Sequence, residues 1–169
     1  MRNGIHALRW YLLAGVIILL DQYTKGLASA NLDYGRPVAV FSWFNLTLQH
    51  NTGAAFSFLN DAGGWQRYFF SAVAIIISAV LVVWLYRMPR SQKLLALALG
   101  LILGGALGNL WDRLALGYVV DFISVHYGGW YFPAFNIADS AISVGAALML
   151  IDSFFAPGQT SDSREKAES

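Results

Sequence analysis

Cysteine is absent from the 169 residues, which excludes disulfides, thiolate metal sites, cysteine nucleophiles and lipid attachment to cysteine of this chain. Charge is scarce as well. Asp, Glu, Lys and Arg make up 12% of the sequence, about half the share usual in a soluble domain. Eleven basic and ten acidic residues leave a net charge of +1, without the basic stripe that nucleic acid needs, so no nucleic-acid partner is expected. The three histidines, His6, His50 and His126, are scattered and form no His-Glu-x-x-His zinc motif. A Gly-x-Ser-x-Gly nucleophile turn is missing too, and Ser140 has no histidine at a telling spacing.

Hydrophobic residues, by contrast, make up 57% of the chain, concentrated in four runs: Leu8 to about Ala28, Tyr68 to Tyr86, Leu94 to Leu114, and about Ile137 to Phe155. About 20 residues rising 1.5 Å each match a hydrocarbon core of about 30 Å, where a helix satisfies its own backbone hydrogen bonds. The runs predict an all-α membrane protein: a single domain over residues 1–156 built as a four-helix bundle. Arg2 and Arg9 precede the first run, and Arg87, Arg90 and Lys93 crowd the Pro89 connection between the second and third. The positive-inside rule puts these sites, and hence both termini, in the cytoplasm; Arg164 and Lys166 after the fourth run agree. The longer connections, about Ser29 to Arg67 and Ala115 to Asn136, then lie outside.

Those outer connections carry strand signals. Phe44 to Gln49 alternates at period two, and the β-branched-rich Val119 to Val125 precedes a Gly128-Gly129 hairpin turn. Trp43, Trp65, Trp130, Tyr127 and Tyr131 suit the outer headgroup level as an interfacial belt. The first run also imitates a secretory signal peptide, with Ala28-Ser29-Ala30 as a small-residue cleavage site. Asp21, Gln22, Thr24 and Lys25 recur at helical spacing, however, which reads as one polar face of a retained helix.

Ionisable residues inside spanning helices are costly and mark function or a dedicated partner. With the orientation above, Asp21 and Lys25 fall in the outer half of the first helix, and Asn109, Asp112 and Arg113 at the outer end of the third. Asn136, Asp139, Ser140 and Ser143 share one face at the start of the fourth, and Asp121 sits in the connection between. Four carboxylates therefore converge near the outer leaflet, with Asp152 alone toward the inner side. Such a group can bind a cation, relay protons or activate water. Two carboxylates about 4 Å apart repel by about 4 kcal/mol at an effective dielectric near 20, separating their ionisations by about three pH units. One proton is then shared near neutral pH. The structural alternative pairs Asp21 with Lys25 one turn away and Asp112 with adjoining Arg113, and makes Asp139 a helix cap. Gly100, Gly104 and Gly108 recur every four residues, a stripe that lets membrane helices approach closely, within the bundle or between copies.

Five blocks together resemble the lipoprotein signal peptidase (signal peptidase II) family of bacterial membrane aspartic proteases. They are Asp21-Gln22-Tyr23-Thr24-Lys25, Asn51-Thr52-Gly53-Ala54-Ala55-Phe56, Gly108-Asn109-Leu110-Trp111-Asp112-Arg113, Val119-Val120-Asp121-Phe122 and Phe135-Asn136-Ile137-Ala138-Asp139-Ser140. The resemblance runs to about Phe155; the tail 157–169 matches no motif and is expected to be a disordered cytoplasmic segment. It implies an inner-membrane hydrolase that cuts prolipoproteins before a diacylglyceryl-modified cysteine, working near the outer face on a lipid-modified substrate amid membrane lipid. It implies further that Asp121 and Asp139 are the catalytic pair and that no metal or organic cofactor takes part. Asn51, Asn109, Arg113 and Asn136 would bind substrate or hold the pair, while Asp21, Lys25 and Asp112 would be structural. The segment from Asn51 to Phe58, with Trp43, is expected to act as a lid, and the enzyme to work as a monomer. Two other readings stay open from the residues alone: a small proton- or cation-coupled transporter, and a membrane scaffold whose aspartates are all salt-bridged.

Overall fold

A computed structural model of the chain describes residues 3–53 and 64–155. Most of the expected lid segment (54–58), Arg2 and the tail 157–169 with Arg164 and Lys166 lie outside the described residues. Four helices carry the apolar runs: α1 (Asn3–Asn31), α2 (Trp65–Arg87), α3 (Lys93–Ala115) and α4 (Ile137–Phe155). The strands are β1 (Val38–Phe41), β2 (Phe44–Asn51), β3 (Val119–Tyr127) and β4 (Trp130–Tyr131).

Three helices, α2, α3 and α4, are long and apolar enough to cross a membrane. At 29 residues α1 is longer than any of them, but Asp21, Gln22, Thr24 and Lys25 dilute its apolar stretch. The helix reaches a turn beyond each end of the expected run because backbone hydrogen bonding continues through polar ends that hydropathy excludes. On α2 the outward Ile75, Ile76, Val80 and Val83 are exposed among the described residues, as a lipid-facing side requires.

Helix α3 packs against each of the other three helices, and its glycines explain how closely. A methyl group added to Gly104 would fall 2.8 Å from Ile17 Cβ and 2.9 Å from the Ala14 carbonyl oxygen of α1. One added to Gly105 would strike the Ala138 carbonyl of α4 and come within 2.7 Å of Ile142 Cγ1. Gly145 of α4 answers from the other side, where an added methyl group would come as close to the Ala98 carbonyl oxygen of α3. The stripe therefore works inside the bundle, bringing helix backbones together by van der Waals contact where no hydrophobic driving force exists between lipid and helix. Toward the inner end Leu81, Leu85, Leu99 and Leu103 close the core.

The strands form one antiparallel sheet in the order β1-β2-β3-β4. Both segments expected to be strands are present, and each is longer by two residues than its periodicity suggested. Gly128 and Gly129 join β3 to β4 with φ of 55° and 87°, the paired positive values that a tight two-residue hairpin demands and glycine adopts without strain. Trp43, Trp65, Tyr127, Trp130 and Tyr131 are all exposed.

Candidate functional site

The expected convergence of carboxylates resolves into two adjoining pairs. Asp21 and Asp112 share one cation: Lys25 Nζ lies 2.7 Å from Asp21 Oδ2 and 2.9 Å from Asp112 Oδ2. All three are almost fully buried. The pairing of Asp21 with Lys25 is the one that helical spacing offers. The expected partner of Asp112 differs. Arg113 adjoins it in sequence, but neighbours on a helix point about 100° apart and do not face each other. Arg113 turns instead to the Gly53 carbonyl, donating from Nη2 at 3.0 Å, and over the Phe70 ring at 5.5 Å.

This ionic cluster fixes the ends of the elements around it. Asp21 Oδ1 accepts the Ala138 N–H at 2.9 Å in the first turn of α4, satisfying a donor the helix leaves without an internal partner. Asp112 Oδ2 accepts the Val120 N–H at 3.0 Å, so the start of β3, and with it Asp121, is tied to α3. Gln22, which motif reasoning singled out only as part of a polar face, donates to Asp112 Oδ1 at 2.8 Å.

The second pair is Asp121 on β3 and Asp139 on α4, held by three asparagine side chains. Asn136 precedes α4 and exchanges hydrogen bonds with Asp139: its Oδ1 accepts the Asp139 N–H at 2.9 Å and its own N–H donates to Asp139 Oδ2 at 3.3 Å. That is a reciprocal helix cap. The amide of the same Asn136 donates to Asp121 Oδ1 at 2.7 Å, so one side chain spans both carboxylates. Asn51 donates to Asp121 Oδ2 at 3.1 Å, and Asn109 donates to Asp139 Oδ1 at 2.7 Å. Lys25 donates to Asn109 Oδ1 at 2.9 Å, which leaves the Asn109 NH2 group to face Asp139. The helix-cap expectation for Asp139 thus holds together with its place in the pair.

Asp121 is 3% exposed. Burial, followed by the neighbouring Asp139 charge, pushes its carboxyl up to about 7 from the ordinary 3.8, against the pull of the Asn51 and Asn136 hydrogen bonds. Among the described residues no group of three or more acidic or histidine side chains gathers in a way that would hold a metal ion.

Two cavities meet at this pair. One, of about 620 Å³, opens between α2, α3 and α4; Phe70, Ile77, Ala106, Phe135 and Ile142 line it, and Asp139, Ser140 and Ser143 reach it from one face of α4. The other, of about 190 Å³, lies beside the sheet and is lined by Tyr34, Gln49, His50 and Asp121. Asn51, Pro133 and Ala134 are walls common to both. The geometry sets one carboxylate pair at the junction of an apolar and a polar compartment.

The family model for signal peptidase (SPase) II matches residues 13–155. The lipoprotein signal peptidase of Acinetobacter baumannii (strain ATCC 17978) is 59% identical over 150 residues, covering 89% of this chain and 85% of the relative. That of Teredinibacter turnerae (strain T7901) is 56% identical over 153 residues, covering 90% and 91%. A solved structure described as a bacterial membrane enzyme, obtained by the in meso method at 2.3 Å resolution, superposes with a TM-score of 0.80. It is 32% identical and covers 91% of this chain and 92% of that one. A second such structure, at 1.9 Å, gives a TM-score of 0.76 at 33% identity, covering 88% and 94%.

Proposed function

Since this chain belongs to the signal peptidase II family, we propose that it is an aspartic endopeptidase of the bacterial inner membrane that removes signal peptides from diacylglyceryl-modified prolipoproteins. The observation that carries the chemistry is the pair of buried Asp121 and half-buried Asp139, bridged by Asn136 at the mouth of an apolar cavity. With one proton shared, the ionised carboxylate takes a proton from water as its oxygen attacks the scissile carbonyl. The protonated one donates a hydrogen bond to the developing oxyanion. Collapse of the tetrahedral intermediate breaks the C–N bond, and the proton passes to the leaving amine. Asn51, Asn109 and Asn136 hold the pair, and Asn51 and Arg113 also meet the substrate backbone where β2 ends. Asp21, Lys25 and Asp112 keep α1, α3, β3 and α4 in register.

The chain crosses the bilayer four times, with α1 as the first span, both termini in the cytoplasm and the site near the outer leaflet. In support, the basic residues Arg9, Arg87, Arg90 and Lys93 gather at the end of the bundle opposite the carboxylates, and the buried pairs let α1 carry Asp21 and Lys25. The acyl chains and the apolar signal segment enter the 620 Å³ cavity, whose walls match them. It acts as a monomer over residues 1–156, with 51–58 as lid. Proton or cation transport is disfavoured, because the inner core of Leu81, Leu85, Leu99 and Leu103 offers no acidic path across.

The test is gel-shift cleavage of a diacylglyceryl-modified prolipoprotein by purified protein in detergent, with Asp121→Asn, Asp139→Asn and a chelator run alongside. Cleavage that survives the chelator and vanishes in both variants is expected. A folded wild-type protein that leaves the lipidated substrate uncut would overturn the assignment.

A further inference from the structure

An attacked carbonyl between Asp121 and Asp139 sends the two ends of its peptide in different directions, and the two cavities differ in kind. Asp139 belongs to the large apolar one and Asp121 to the small polar one, with Asn51, Pro133 and Ala134 as the partition. The apolar side suits acyl chains and a signal segment. A backbone of polar residues placed there would lose its hydrogen bonds to water without replacement.

The smaller cavity is built for such a backbone. Gln49 is the register partner of Asp121 across β2 and β3, so both side chains stand on one sheet face. The Gln49 amide carries both donors and an acceptor, as a peptide group needs. His50 forms the rim, stacked on Tyr118 at 4.0 Å and tilted against Tyr34 at 4.8 Å between ring centroids. Partial burial lowers the pKa of the His50 imidazole from its ordinary value, favouring the uncharged ring. Polar side chains, Tyr34, Gln49, His50, Asn51 and Asp121, dominate the lining of its 190 Å³, so an acyl chain placed there would leave buried polar groups without partners and a peptide segment would not.

We propose that this polar cavity, walled by Gln49, His50 and Tyr34, is the subsite for the residues that follow the modified cysteine and favours uncharged polar ones there. The assignment rests on the peptidase reading above. It makes the enzyme sense the mature end of its substrate as well as the lipid and the signal segment.

Two synthetic diacylglyceryl-cysteine peptides with the same upstream sequence test it, one ending a single residue after the modified cysteine and the other extended by four Ser and Asn residues. For wild-type protein kcat/KM is expected to be about tenfold higher on the extended peptide, equivalent to about 1.4 kcal/mol. Gln49→Trp, which fills the cavity, and His50→Phe, which keeps the ring stack and removes the polar rim, should each bring that ratio below about threefold, or about 0.7 kcal/mol. Because the readout is a ratio within one protein, a general loss of activity does not imitate it. A wild-type ratio near one, or a wild-type ratio retained in both variants, overturns the subsite. If wild-type protein cuts neither peptide, the peptidase reading falls and the subsite with it.

Discussion

Lys25→Met should be among the most damaging single changes away from Asp121 and Asp139. Lys25 is 3% exposed and contacts Asp21, Asp112 and Asn109 at 2.7, 2.9 and 2.9 Å. Removing it leaves two buried carboxylates facing each other with no cation. Breaking a buried ion pair from one side costs about 3–5 kcal/mol, because the remaining charge stays desolvated. That is a large part of a total stability of about 5–15 kcal/mol. Reversible unfolding in mixed micelles, followed by circular dichroism at pH 7, measures it. The double variant Lys25→Met/Asp21→Asn should recover part of the loss, since one orphaned charge is gone. Activity should drop in Lys25→Met even where the protein stays folded, because the Asn109 oxygen is then held only by the long 3.3 Å hydrogen bond from Asn136 and orients the amide toward Asp139 less firmly. A loss under about 1 kcal/mol, the value of an exposed pair, would refute the reasoning.

Further substitutions follow from the same structure. Asp121 binds its proton more tightly in the folded protein, about 7 against the ordinary 3.8, so its penalty is absent below about pH 4, grows between 4 and 7 and levels off above. Asp121→Asn removes it: the stability of the variant relative to wild type should rise by up to about 4 kcal/mol between pH 4 and pH 8, and denaturant unfolding at both pH values would expose an unchanged difference. Gly105→Ala should cost about 1–3 kcal/mol by overpacking and lower turnover by moving Asp139 from Asn109, whereas Gly26→Ala, with nothing within 4 Å of the new methyl, should leave both intact; thermal unfolding paired with the cleavage assay compares them. Asn136→Ala removes a cap worth about 0.5–2 kcal/mol together with the bridge between the carboxylates, so the loss of kcat should far exceed what its modest change in melting temperature implies.

Much of this arrangement is legible in the sequence, for identifiable reasons. The spans of α2, α3 and α4 follow from hydropathy to within three residues at either end, since a lipid-facing helix must be apolar nearly throughout. Strands β2 and β3 follow from their alternation. Strand β1 does not: its Val38 to Phe41 is exposed throughout, so it leaves no two-residue pattern. The five polar blocks lead to the right residues but not to their partners. Helical spacing links Asp21 with Lys25, while the contacts of Asp112 with Lys25 and of Asn136 with Asp121 join elements far apart in the chain, which no periodicity encodes. Sequence neighbourhood suggested an Asp112–Arg113 pair that helix geometry forbids. The polar cavity is invisible for the same reason, because Tyr34, Gln49 and Pro133 meet only once the sheet is folded.

The glycine contacts between α3 and its neighbours set how freely the different faces of the bundle can vary over generations. At Gly104, Gly105 and Gly145 a single methyl group already collides with a neighbouring helix, so drift there is closed to every other amino acid. The outward side of α2, by contrast, presents Ile75, Ile76, Val80 and Val83 to surroundings without a fixed shape, and any apolar residue of helical habit serves as well. Variants of this protein should therefore diverge on the outward side of α2 and stay nearly identical along the seam between α3 and α4, a contrast set by sterics before any demand of the chemistry.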